Sequence, residues 1–126
     1  MELELGMKHT SQFIVEKHHS AEFLGSGDLE VLATPALIAF LEKTCKDSIR
    51  PAMEEELTSV GIHIELDHVK ASLIGAQVRC TSEVVAQEGK LIRFTMKAES
   101  NGSLIAQGKH TRAIVNRERF LAGLNK

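Results

Sequence analysis

The chain has 126 residues, 43% of them hydrophobic and 25% charged, with 9 Gly, 2 Pro and no Trp or Tyr. That suits one domain, 1–126, with one core, but not the two-domain cleft in which many larger enzymes hold a substrate; a pocket here calls for a second copy of the chain. The formal charge of −2, from 15 Lys and Arg against 17 Asp and Glu, argues against a generic nucleic-acid binder, which needs a basic surface to release counterions.

The longest apolar run, 36–41, falls far short of the roughly 20 residues that span a bilayer. The N-terminus, Met-Glu-Leu-Glu-Leu-Gly, carries carboxylates where a secretory signal carries cations. The expectation is a cytoplasmic protein with no membrane contact. Cys45 and Cys80 stand alone, without C-x-x-C spacing, and read as packed thiols.

In chain order, Phe13 and Val15 alternate with polar neighbours and predict a short first strand over 11–18. Gly25-Ser26-Gly27-Asp28 breaks the chain into a loop. Thr34 then suits an N-cap and Pro35 a first helical turn, so a helix is expected over 35–55, with a kink or an end near Arg50 because Pro51 follows. On a wheel, Leu37, Leu41, Cys45, Ser48, Ile49 and Ala52 share one face, opposite Lys43, Lys46, Asp47 and Arg50. After Thr58 the period becomes two, with Val60, Ile62, Ile64 and Leu66 on one side and His63, Glu65 and Asp67 on the other. Further strands are expected over 76–85, 92–98 and 104–115. Gln87-Glu88-Gly89-Lys90 and Asn101-Gly102 form the turns between them, and a short helix over 117–124 closes the chain. One amphipathic helix and a meander of antiparallel strands bury each other most simply when the helix lies across the concave face of the sheet. The expected fold is α+β: a hotdog, its long central helix wrapped by a curved sheet of about five strands.

Three residues in this frame carry chemistry. A helix start presents unpaired N–H groups and the positive end of the macrodipole, so Thr34, expected first as the N-cap, also stands where a carbonyl oxygen such as a thioester's would be stabilised on becoming an oxyanion. Glu42 falls near Ile38, Ile49 and Met53, at the margin of the apolar face. A partly buried carboxylate there suits a general base or direct attack on a carbonyl; a solvated border Glu is the bland alternative. His68 has the parity of Ile64 and Leu66 and should point toward the helix, either as a structural imidazole or to exchange protons near neutrality. His9, His18, His19 and His110 show no metal-ligand spacing, the adjacent His18-His19 pair being expected on opposite sides of a strand, and no metal is assigned.

The segments 25–28 (Gly-Ser-Gly-Asp), 31–35 (Val-Leu-Ala-Thr-Pro), 59–61 (Ser-Val-Gly), 67–72 (Asp-His-Val-Lys-Ala-Ser) and 118–120 (Glu-Arg-Phe) resemble the fluoroacetyl-CoA thioesterase-like family of hotdog proteins, over about 10–120. The joint spacing of Thr34, Glu42, Gly61 and His68 is its most specific element. The resemblance implies hydrolysis of an acyl-CoA thioester to a carboxylate and free CoA without metal or other cofactor. By that analogy Thr34, Glu42 and His68 are catalytic, and Gly61 and Arg112 bind the acyl-CoA. The fluoroacetyl-specific enzyme carries aromatic lid residues where this chain has Gly25-Ser26-Gly27-Asp28, with Phe23 out of register, so a broader or different acyl group is implied.

Eight residues separate Thr34 from Glu42, a rise of about 12 Å along a helix axis, too far for both to act on one atom. The expected assembly is a twofold homodimer, or a higher oligomer containing it, with Thr34 of one subunit and Glu42 of its partner at each site. The competing readings are a hotdog dehydratase, whose Asp-plus-His helix arrangement is absent, and a non-catalytic acyl-CoA-binding or regulatory module.

Overall fold

A computed structural model of the chain describes residues 2–125. Strand β1 (Lys8–Ile14) leads through a 3-10 turn, Lys17–His19, into the four-residue helix α1 (Ala21–Leu24). The long helix α2 (Thr34–Ile49) follows, then the strands β2 (Leu57–His68), β3 (Gln77–Glu88), β4 (Leu91–Ser100) and β5 (Ser103–Asn116), and finally α3 (Arg117–Leu124). The five strands form one antiparallel sheet in the order β1-β3-β4-β5-β2. Helix α2 lies against it, as the one-sided helix required.

The apolar face of α2 supplies Leu37, Leu41, Cys45 and Ile49, all fully buried in one cluster with Val78, Cys80, Val84, Ile92, Phe94 and Ala98 from the sheet. Burial of each large aliphatic side chain is worth about 2 kcal/mol. The helix therefore does not depend on a side-chain cap, worth about 1 kcal/mol. Indeed it has none: Ala33, not Thr34, occupies the N-cap position, and Thr34 is the first helical residue. The helix also stops earlier than 55. Pro51 has no N–H for the next helical bond, and the chain tightens into a 3-10 turn over Arg50–Ala52. The Arg50 guanidinium donates to the carbonyls of Glu54 and Leu57, each at 2.9 Å, and so occupies acceptors beyond the helix end.

Two further expectations are corrected. The first strand ends at Ile14, and His18 and His19 sit in the 3-10 turn, not on opposite strand faces, with ring centroids 4.1 Å apart. In β2 the alternation breaks: Gly61 faces Arg112 and His63 faces Thr111, which leaves Ile62 as an extra, unpaired residue. The bulge leaves Ile62 54% exposed, while Ser59 is buried. Beyond it the expected parity holds, with Ile64 and Leu66 packed against the core. The Asn101-Gly102 turn forms as its residues predict, both at positive φ (52° and 73°).

Gly108 is required by strand packing. A Cβ there would collide with the Glu65 backbone carbonyl on the neighbouring strand, and backbone cannot swing aside as a side chain can. Gly108→Ala should therefore cost about 3 kcal/mol of stability by overpacking. Urea denaturation checks this, and a loss below about 0.5 kcal/mol would show that the strands separate there without strain.

Candidate active site

Two groups of side chains gather on the face that α2 covers, and they divide the residues predicted from sequence between them. The first is at the N-terminus of α2. Thr34 is exposed there, and because its hydroxyl is not used as a cap it meets the last residue of β2: Thr34 Oγ1 and His68 Nδ1 lie 2.8 Å apart. The pair opens onto a cavity of about 330 Å³, also lined by Ala21, Ser26, Pro35 and Lys70. Pro35 lacks an N–H, so the unpaired backbone donors at this helix start come from its neighbours Thr34 and Ala36. His68 Nε2 is shielded from solvent and has no hydrogen-bond partner among the described residues.

The second group lies two turns along the helix. Glu42 is half-exposed, 37% by its side chain, and its Oε2 lies 3.6 Å from His110 Nε2 and 3.8 Å from Arg112 Nη1. Both partners stand on β5 and are buried, at 1% and 7%. Gly61 faces them from β2: a Cβ on it would collide with the same Glu42 oxygen and approach His110 Cε1 to 3.0 Å. Gly61 is thus the clearance that lets the carboxylate sit against the strand.

Hydrogen bonds fix the orientation of this group. Arg112 donates through Nε to Ser59 Oγ at 2.7 Å and through Nη2 to the Ser59 carbonyl at 3.0 Å. The third nitrogen, Nη1, lies 3.1 Å from His110 Nε2. His110 Nδ1 is 2.7 Å from the His63 carbonyl, which only accepts, so Nδ1 carries the proton. Nε2 of the neutral ring then accepts from Arg112. Burial, with help from Arg112, holds the His110 pKa below its usual value and keeps that tautomer in place. Arg112 is oriented toward Glu42 by three hydrogen bonds to two residues, Ser59 and His110, with little of its own surface open to a ligand.

Sequence reasoning assigned no role to His110 and did not single out Ser59. The signal for His110 was its parity: Ala106, His110, Arg112 and Ile114 occupy alternate positions on β5 and are all buried. Ser59 was hidden by the bulge, which reverses the parity of β2 before His63. The cysteines are as expected, both buried and free. Burial pushes the Cys45 thiol up to about 12 and the Cys80 thiol up to about 11, so neither serves as a thiolate nucleophile. Among the described residues, no three His, Cys, Asp or Glu side chains gather as a metal-ligand set, and no helix is long and apolar enough to cross a membrane.

Two imidazoles, His110 buried and His68 half-buried, set a pH dependence. Burial pulls the pKa of both His68 and His110 below the usual 6.5. Each binds its proton more weakly folded than unfolded. Above 6.5 both states are neutral and the stability is fully present; as pH falls through 6.5 the unfolded chain protonates first, and stability declines. The urea midpoint should therefore drop between about pH 7 and pH 5.5. A midpoint that stays level or rises over that interval would contradict the burial of these rings.

The sequence profile of a family described as fluoroacetyl-CoA-specific thioesterase matches residues 15–118. The chain is 27% identical, over 95% of its own length and 91% of the relative's, to the fluoroacetyl-CoA thioesterase of Streptantibioticus cattleyicolor. It superposes on the crystal structure of the fluoroacetyl-CoA thioesterase FlK with a TM-score of 0.93 at 26% identity, covering 99% of this chain and 97% of that one. A thioesterase-superfamily protein of Thermus thermophilus shares the fold, with a TM-score of 0.91 at 22% identity over 98% and 92% of the two chains. The long helix on a curved antiparallel sheet is thus a hotdog fold. With the profile spanning most of its length, the chain belongs to the fluoroacetyl-CoA-specific thioesterase family of thioester hydrolases.

Proposed function

We propose that the chain hydrolyses an acyl-CoA thioester to a carboxylate and free CoA, through Thr34, His68 and Glu42 and without a metal, in sites shared by two copies of the chain. The observation that carries this reading is the 2.8 Å contact between Thr34 Oγ1 and His68 Nδ1 at the mouth of a cavity and at a helix N-terminus. A thioester carbonyl placed there meets backbone N–H donors and the positive end of α2 as charge develops on its oxygen. Thr34 and His68 position that carbonyl.

Glu42 of the partner copy supplies the base. Its carboxylate takes a proton from water as the water oxygen adds to the carbonyl carbon. The tetrahedral adduct then collapses, the carbon–sulfur bond breaks with its electron pair on sulfur, and the proton passes to the thiolate. In the variant route the Glu42 carboxylate itself attacks, the carbon–sulfur bond breaks to release the CoA thiolate as an anhydride forms, and water opens the anhydride to the product acid and free Glu42, its released proton passing to the thiolate. In this proposal Gly61 and Arg112 serve the acyl-CoA through Glu42, Gly61 by leaving room for the carboxylate and Arg112 by orienting it. The same architecture supports a broad acyl group: the cavity beside Thr34 is lined by Ala21 and Ser26, and Phe23 points its ring to solvent at 64% exposure.

A panel of acyl-CoA thioesters, followed by release of free thiol, tests the proposal. Turnover is expected for short acyl groups, fluorinated or not, with discrimination between fluoroacetyl and acetyl below about a hundredfold. Binding of every panel member without thiol release would overturn it.

A further inference from the structure

The path of the chain after the site bears on the nucleotide end of such a substrate. Beyond His68 the chain crosses the end of the sheet through residues 69–76 and enters β3, passing the ends of β5 and β4 on the way. Three cavities adjoin along this crossover. The one that holds Thr34 and His68 shares Lys70 and Ala71 with a second, of about 210 Å³. The second shares Ser100 and Asn101 with a third, of about 250 Å³, which reaches Arg79 on β3. Successive cavities thus share lining residues along a groove-like path over the crossover, from the Thr34–His68 pair to Arg79.

Its length and charge fit one kind of ligand. From β2 to β3 is three strand spacings in the order β1-β3-β4-β5-β2, roughly 14 Å. The pantetheine arm of CoA, about thirteen bonds from sulfur to the first phosphorus, spans roughly 16 Å when extended. Lys70 and Arg79 are exposed along the groove, and among the described residues neither has a carboxylate within salt-bridge distance. The Lys70 ammonium makes only a 3.4 Å bond to Ser103 Oγ. Among the described residues Glu99 is the one carboxylate lining these three cavities, and it lies 3.8 Å from Lys97. Two free cations on a track leading away from the reacting centre suit phosphate oxygens, which accept charge-assisted hydrogen bonds from both ammonium and guanidinium.

We propose that this groove holds the nucleotide end of a CoA thioester, with the pantetheine arm along the 69–76 crossover and the phosphates between Lys70 and Arg79. The placement of the thioester at Thr34 rests on the function proposed above; the recognition of phosphate does not. Calorimetric titration with free CoA and with pantetheine, which ends before the phosphates, tests it. The wild-type chain should bind CoA at least about tenfold more tightly than pantetheine, with an advantage that shrinks as salt rises. Lys70→Ala and Arg79→Ala should each weaken CoA binding about fivefold and leave pantetheine binding where it was, while Glu99→Gln should strengthen CoA binding about twofold.

Equal affinity for CoA and pantetheine in the wild type, or equal losses of both ligands in the two alanine variants, would overturn the groove. Phosphate-dependent binding without turnover of any thioester would leave the groove standing and remove the thioesterase chemistry. Turnover without phosphate-dependent binding would do the reverse.

Discussion

Glu42→Gln should lower kcat/KM for a CoA thioester by about a thousandfold while changing stability by less than about 0.5 kcal/mol. The amide keeps the shape of the carboxylate, and the half-exposed site tolerates the loss of charge, but the amide neither accepts a proton from water nor attacks a carbonyl. A companion change separates position from chemistry. Gly61→Ala leaves the Glu42 carboxylate intact and pushes a methyl group into the place of its Oε2. Gly61 lacks the positive φ that would strain an alanine there. The far end of the Glu42 side chain can also move into solvent, so the variant should fold normally. The cost falls on placement: a carboxylate displaced by about 1 Å should lose roughly a hundredfold in kcat. Steady-state kinetics with urea denaturation of the same preparations read both effects. A Gly61→Ala enzyme with full activity would mean that the carboxylate works from another position, and a fully active Glu42→Gln enzyme would remove Glu42 from the reaction.

The same pair of residues shows what could be read in advance. Glu42 was identified from its place at the margin of the apolar helix face and Gly61 from the family resemblance, yet nothing in periodicity placed them together, because alternation along β2 put Gly61 on the wet side. The extra residue, Ile62, reverses that parity, and a bulge leaves little trace in a run as regular as Val60, Ile62, Ile64 and Leu66. Past the bulge the reading held, so His68 was correctly placed on the covered side. The strands over 92–98 and 104–115, the Asn101-Gly102 turn and the closing helix were legible because each depends on local chemistry: alternation, positive φ, and a polar N-cap, here Asn116, whose side chain accepts from the Arg119 N–H at 3.1 Å. Thr34 was legible as a residue at the helix start but not in its bonding. Whether a hydroxyl caps its own helix or reaches the end of a distant strand depends on where that strand lies, and the energy at stake, about 1 kcal/mol, is small beside the packing that places both.

Mixing an inactive Thr34→Ala chain with an inactive Glu42→Ala chain should restore about a quarter of the wild-type activity when subunits exchange freely. Half of the dimers are then mixed, and each mixed dimer has one intact site of two. The structure sharpens this into a pattern across pairs. Thr34 and His68 touch within one chain, and Glu42, Arg112 and His110 gather within one chain about 12 Å further along the helix axis. In the proposed dimer each chain then contributes one half of each kind, to different sites. Thr34→Ala mixed with His68→Ala should recover nothing, since in every mixed dimer both sites carry a defect in the same half. His68→Ala mixed with Glu42→Ala should recover as well as the first pair. Recovery in both cross-half mixtures and none in the same-half mixture is the signature of sites shared between subunits. If demonstrably mixed dimers of Thr34→Ala and Glu42→Ala stay inactive, each chain builds its site alone, and the chemistry must bridge the 12 Å within a single copy.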